Sequence, residues 1–123
     1  MKKTFISALM VLFTVSGTYA LDMNEYKVFN KLNNEKTINS LSKYLNVNNE
    51  QREQLEYLFD LTDKKMKNAI NNEDENAAEK VMWFNLGNAK YILSAEQYKK
   101  YLLSLNMTVN TMSEVSDFYV AEN

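Results

Sequence analysis

An all-α fold, a long antiparallel helical hairpin flanked by shorter helices, is predicted from three observations. Proline is absent and only two glycines occur in 123 residues, so the tight turns that hairpin sheets require are scarce. Lys, Glu, Leu, Met and Ala are abundant, which favours helix. From Asn49 to about Asn71, apolar residues recur at intervals of three and four.

The chain opens with Lys2 and Lys3, continues with an apolar run from Phe5 to Val15, and reaches Ser16, Gly17 and Thr18-Tyr19-Ala20. This order of a basic start, an apolar middle and small residues at a cleavage site reads as a signal peptide over 1–20, cut between Ala20 and Leu21. The competing readings are an uncleaved anchor and a buried helix, but the run is short for a bilayer of roughly 30 Å. An exported chain, periplasmic or secreted, is expected, with no membrane insertion after cleavage. Removing 20 of the 123 residues leaves 103, enough for one domain. With no Cys, that domain must be held by packing rather than by disulfides. It would carry 12 basic and 16 acidic residues, a net charge of −4 with no basic block, which argues against nucleic acid as a partner.

Residues 21–36 form a poorly defined N-terminal segment, in which Asp22 could cap a short helix carrying Tyr26, Phe29 and Leu32. The helical domain proper is expected over 37–112. Thr37 or a neighbour opens a helix with Ile38, Leu41, Tyr44 and Leu45 on one side, and Asn46-Val47-Asn48 ends it. The helix from Asn49 presents Leu55, Leu58, Phe59, Thr62, Met66, Ala69 and Ile70. Asn71 to Asp74 is a turn, and the next helix, Glu75 to Leu93, carries Ala78, Val81, Met82, Asn85, Leu86 and Ala89. A last helix after Ser94 carries Tyr98, Tyr101, Leu102 and Leu105 and runs on toward Met112; 113–123 reads as a loose tail.

Two helix starts share one pattern. Val47-Asn48-Asn49-Glu50-Gln51 and Leu93-Ser94-Ala95-Glu96-Gln97 both read apolar, cap, any residue, Glu, Gln. Each is a capping box: Asn48 or Ser94 accepts from a first-turn N–H, and Gln51 or Gln97 reaches back to the cap. With these two boxes, the stretch Ser40 to Asn106 resembles the LTxxQ motif of the Spy/CpxP-type periplasmic helical proteins; it is also similar to small secreted helical proteins of Bacteroidota. The resemblance implies a cell-envelope protein related to ATP-independent chaperones or to inhibitors of a stress-sensor kinase. The departures are that Asn48 and Ser94 stand where the motif has Thr, and that the chain is acidic where the chaperones are basic. Zinc-linked members imply His or Cys, and the chain has neither.

Without His or Cys the usual general base and thiol nucleophile are missing, so no catalytic residue, metal site or cofactor is assigned and a non-enzymatic role is expected. The acidic group Glu73, Asp74, Glu75 and Glu79 sits at a helix start, where it suits the helix dipole. Val81-Met82-Trp83-Phe84 spans the whole circumference of a helix, so one side must face away from the hairpin. It admits two readings: a central helix packed on two sides, or an interface for a homodimer or another protein. On the second reading Met82 and Met66 adapt to varied partners, and Gly87, one turn below Trp83, admits a close approach. The functional expectation is a binding protein of the cell envelope, chaperone-like or stress-related. The alternative is a structural or regulatory dimeric module of the sensor-kinase ligand type, without client binding.

Overall fold

The computed structural model describes residues 22–122 of the chain, with side chains from 22 to 110. The expected signal segment and its cut between Ala20 and Leu21 lie outside the described residues. Helices follow one another as α1 (Met23–Tyr26), α2 (Val28–Lys31), α3 (Glu35–Leu45), α4 (Asn49–Asn71), α5 (Glu75–Ile92) and α6 (Ala95–Glu122). The fold is all-α, and no strand occurs among the described residues.

The predicted hairpin is α4 and α5, which make the most extensive helix–helix contact. Its turn is a Schellman arrangement. Glu73 N–H donates to the Ile70 carbonyl (3.0 Å) and Asp74 N–H to that of Ala69 (2.9 Å), with Glu73 in the left-handed region at φ 51°. The Asp74 carboxylate then accepts from the Ala77 N–H at 3.0 Å and opens α5. The end of α3 follows the same logic with Asn46 at φ 57°, a residue that tolerates this conformation better than Glu.

Within the stretch the sequence left poorly defined, residues 22–32 contribute to the core. Asp22 and Glu25 form a reciprocal capping box (2.8 and 3.1 Å) that starts α1. Tyr26, Val28 and Phe29 are all buried. Asn30 on α2 donates to both the backbone carbonyl (3.1 Å) and the carboxylate (2.9 Å) of Asp63 on α4, which is itself paired with Lys67 at 3.1 Å. A charged group so nearly buried is tolerated because it is hydrogen-bonded and paired. Asn34 caps α3 through the N–H groups of Lys36 and Thr37 (2.9 and 3.2 Å), so this helix begins two residues before Thr37. Against these elements α6 closes the bundle, touching α1, α2, α3 and α5. Its backbone stays helical to Glu122. The expected loose tail, 113–123, falls on residues whose side chains lie outside those described.

Among the described residues no helix is long and apolar enough to cross a membrane.

Candidate functional site

Three groups of residues stand out from simple apolar packing, and they do different things.

The first is the meeting of the two capping boxes. Asn48 accepts from the Gln51 N–H at 2.7 Å, and Gln51 Oε1 accepts from the Asn48 N–H at 3.0 Å. Ser94 and Gln97 repeat this at 3.1 and 2.9 Å. Folding brings the two glutamines side by side. Gln51 Nε2 donates to Gln97 Oε1 at 2.8 Å and to the Ile92 carbonyl at 3.2 Å. Gln97 Nε2 donates in turn to the carbonyls of Leu45 (3.2 Å) and Asn46 (3.1 Å). The start of α4, the end of α5, the start of α6 and the end of α3 are thus tied through two amides. Helix ends carry four orphan N–H or C=O groups each; here the orphans of one helix satisfy the caps of another. The repeated pattern foretold each cap, but not that caps 46 residues apart would pair.

The second is a buried polar ladder. Thr62 on α4, Asn85 on α5 and Tyr101 on α6 are fully buried. Tyr101 Oη donates to Asn85 Oδ1 at 2.5 Å, Asn85 Nδ2 donates to Thr62 Oγ1 at 3.1 Å, and Thr62 Oγ1 donates to the Leu58 carbonyl at 2.8 Å. The Tyr101 ring stacks on Phe59 with centroids 6.2 Å apart. Burial pushes the Tyr101 phenol well above its usual range, against the opposing effect of the Asn85 bond. This ladder fixes the lateral register of three helices. It is enclosed in the core, with no access for a ligand.

The third is the outer face of α5, where the sequence placed its candidate partner-binding residues Val81, Met82, Trp83, Phe84 and Gly87. The structure divides them. Val81 and Met82 are core residues, as is Met66, so the expected adaptable methionine surface is corrected: these thioethers fill the space between helices. Phe84 is half-buried with the Lys65 ammonium 5.1 Å above its ring. Trp83 points outward with 46 % of its surface exposed, its indole N–H 3.5 Å from the Glu79 carboxylate one turn earlier. Gly87 is exposed, and a Cβ placed there would meet no atom of the described residues within 4 Å. Tyr91, 89 % exposed, completes the series. Residues 83, 87 and 91 are four apart, so they line one stripe of the helix. The sequence did not single out Tyr91; its exposure links it to Trp83.

The acidic residues near the turn are largely accounted for by local structure. Asp74 is the α5 cap, Glu75 lies in its first turn, and Glu79 faces the Trp83 indole. The three lysines of α4 are charged rim rather than an anion site: Lys64 pairs with Asp60 at 3.1 Å, Lys67 with Asp63, and Lys65 covers Phe84.

No family model matches this chain, and neither the curated proteins nor the solved structures yield a match.

Proposed function

We propose that this chain is an exported, non-enzymatic binding protein of the cell envelope, chaperone-like in receiving apolar segments of other proteins on the outer face of α5. The observation that carries this reading is the solvent-facing stripe Trp83–Gly87–Tyr91. A glycine inside a helix costs about 1 kcal/mol relative to alanine, and among the described residues no neighbour requires this one to lack a side chain. A partner backbone lying against α5 does require it. The half of an indole left in water is on the order of 100 Å², worth roughly 2–3 kcal/mol to a partner that covers it. Alone that falls short of the roughly 4 kcal/mol of a millimolar complex, so reversible capture also draws on Tyr91 and on the other contacts an apolar segment makes along the face.

Two features support placing the protein in the envelope: the signal-like order of residues 1–20, and the paired capping boxes that resemble the Spy/CpxP motif. The test is aggregation suppression of an unfolding client by the purified protein and its Trp83→Ala variant. The expected result is suppression near stoichiometric ratios that the variant loses while its circular dichroism stays helical. Equal suppression by both proteins would remove the α5 face from the function, and no suppression by either would remove the chaperone-like activity.

A further inference from the structure

A second surface lies apart from the α5 face. Between α2–α3 on one side and α6 on the other runs an open groove of about 1220 Å³. Buried Leu32, Leu41 and Leu105 form its floor, and Tyr44 (46 % exposed) and Met107 (65 % exposed) its lips. Among the described residues, the charged ones in its lining are Lys31 and Lys36, with no acid, although the chain as a whole is acidic. A third cation, Lys100, lies 5.7 Å over the Tyr44 ring at the same lip.

An occupant that matches this groove is apolar on one side and acidic on the other. The chain itself contains such a segment. From Thr111 to Glu122 the sequence holds Glu114, Asp117 and Glu122 and no Lys or Arg. Met112, Val115, Phe118 and Tyr119 recur there at spacings of three and four, and the backbone is helical throughout. Twelve helical residues span about 18 Å. As a continuation of α6, the segment cannot fold back over a groove whose wall is residues 104–108 of the same continuous helix.

We propose that the groove receives residues 111–122 of a second copy, and that the exchange is reciprocal, giving a twofold-symmetric dimer with the two α6 helices antiparallel. Such an interface is isologous: the same groove and the same segment are used twice. Charge complementarity favours this occupant over the apolar run of residues 5–15, which is flanked by Lys2 and Lys3 and would bring like charge to Lys31 and Lys36.

Sedimentation equilibrium of the purified protein tests this. A dimer is expected at tens of micromolar protein, weakening as salt rises. Lys31→Glu with Lys36→Glu should weaken it at least tenfold while the circular dichroism spectrum is unchanged, because both lysines lie on the groove's exposed rim. Adding Glu114→Lys and Asp117→Lys to that variant should restore the dimer. A monomer at every concentration overturns the proposal. So does a dimer that ignores the first pair of changes, or one that the second pair fails to rescue.

Discussion

Replacing Tyr101 by Phe removes one hydroxyl from the centre of the bundle and leaves Asn85 Oδ1 fully buried without its donor. Removing one partner of a buried hydrogen bond costs about 1–3 kcal/mol, because the remaining group keeps its full desolvation penalty. In a domain of this size each kcal/mol is worth about 4–8 °C in Tm. Thr62→Val takes the acceptor from Asn85 Nδ2 and should cost about as much. The three residues form one chain of bonds, so their costs must not add. Replacing all three by apolar residues of similar shape, Thr62→Val, Asn85→Leu and Tyr101→Phe, leaves no polar side chain stranded in the ladder. Urea unfolding of the single, double and triple variants measures this, and the triple should be less destabilised than the sum of the singles by about 1–3 kcal/mol. Costs that add to within about 0.5 kcal/mol, or a Tyr101→Phe variant as stable as the parent, would refute the ladder as a coupled unit.

Gln97→Glu keeps the acceptor for the Ser94 N–H but turns a carboxylate toward the Leu45 and Asn46 carbonyls, where an amide N–H₂ now donates. It should cost about 2 kcal/mol at pH 7 and less near pH 4, where protonation restores a donor; urea midpoints at the two pH values check this. Gly87→Ala should raise Tm, by up to about 1 kcal/mol of stability, while weakening client capture in the aggregation assay, a gain and a loss from one methyl group. Alkaline stability follows from the tyrosines. Tyr26 is pushed up to about 12 by burial first and then by Glu79, Glu75 and Glu25, and burial raises Tyr98 and Tyr101 further still. The unfolded chain releases these protons near pH 10 and the folded chain holds them, so stability is intact below pH 10 and declines above it. The slope approaches about 1.4 kcal/mol per pH unit for each tyrosine. Urea midpoints between pH 9 and 11 should fall accordingly, and the share of tyrosinate absorbance due to Tyr26, Tyr98 and Tyr101 should appear only with unfolding.

Much of this architecture was legible in the sequence because it rests on local rules. Asn49–Asn71 was readable from its spacing of three and four, and Asn48, Ser94 and Asn46 from the chemistry of caps and left-handed turns. What escaped was set by tertiary contact. Residues 22–32 fold as two four-residue helices, too short for a sustained periodicity to announce a core element, yet Asn30 finds Asp63 across the fold and Tyr26, Val28 and Phe29 are buried with it. Tyr44 fits the apolar stripe of α3 but lies at a groove lip, because that part of the stripe faces an opening. At the hairpin turn, read from the sequence only as Asn71 to Asp74, the left-handed position falls to Glu73 rather than to an Asn. On α5, four consecutive apolar residues required an outward face without saying which. The structure selects Trp83 and adds Tyr91, and it moves Val81 and Met82 into the core.

The chain contains a single tryptophan, so Trp83 reports on the proposed binding face without interference. Its fluorescence, followed while an unfolded apolar polypeptide is titrated into the native protein, tests the central claim most directly. A solvent-like emission maximum is expected in the free protein, with a saturable shift to the blue as the polypeptide covers the indole. Emission that stays constant while sedimentation shows the polypeptide bound would contradict it, because binding would then lie elsewhere on the molecule.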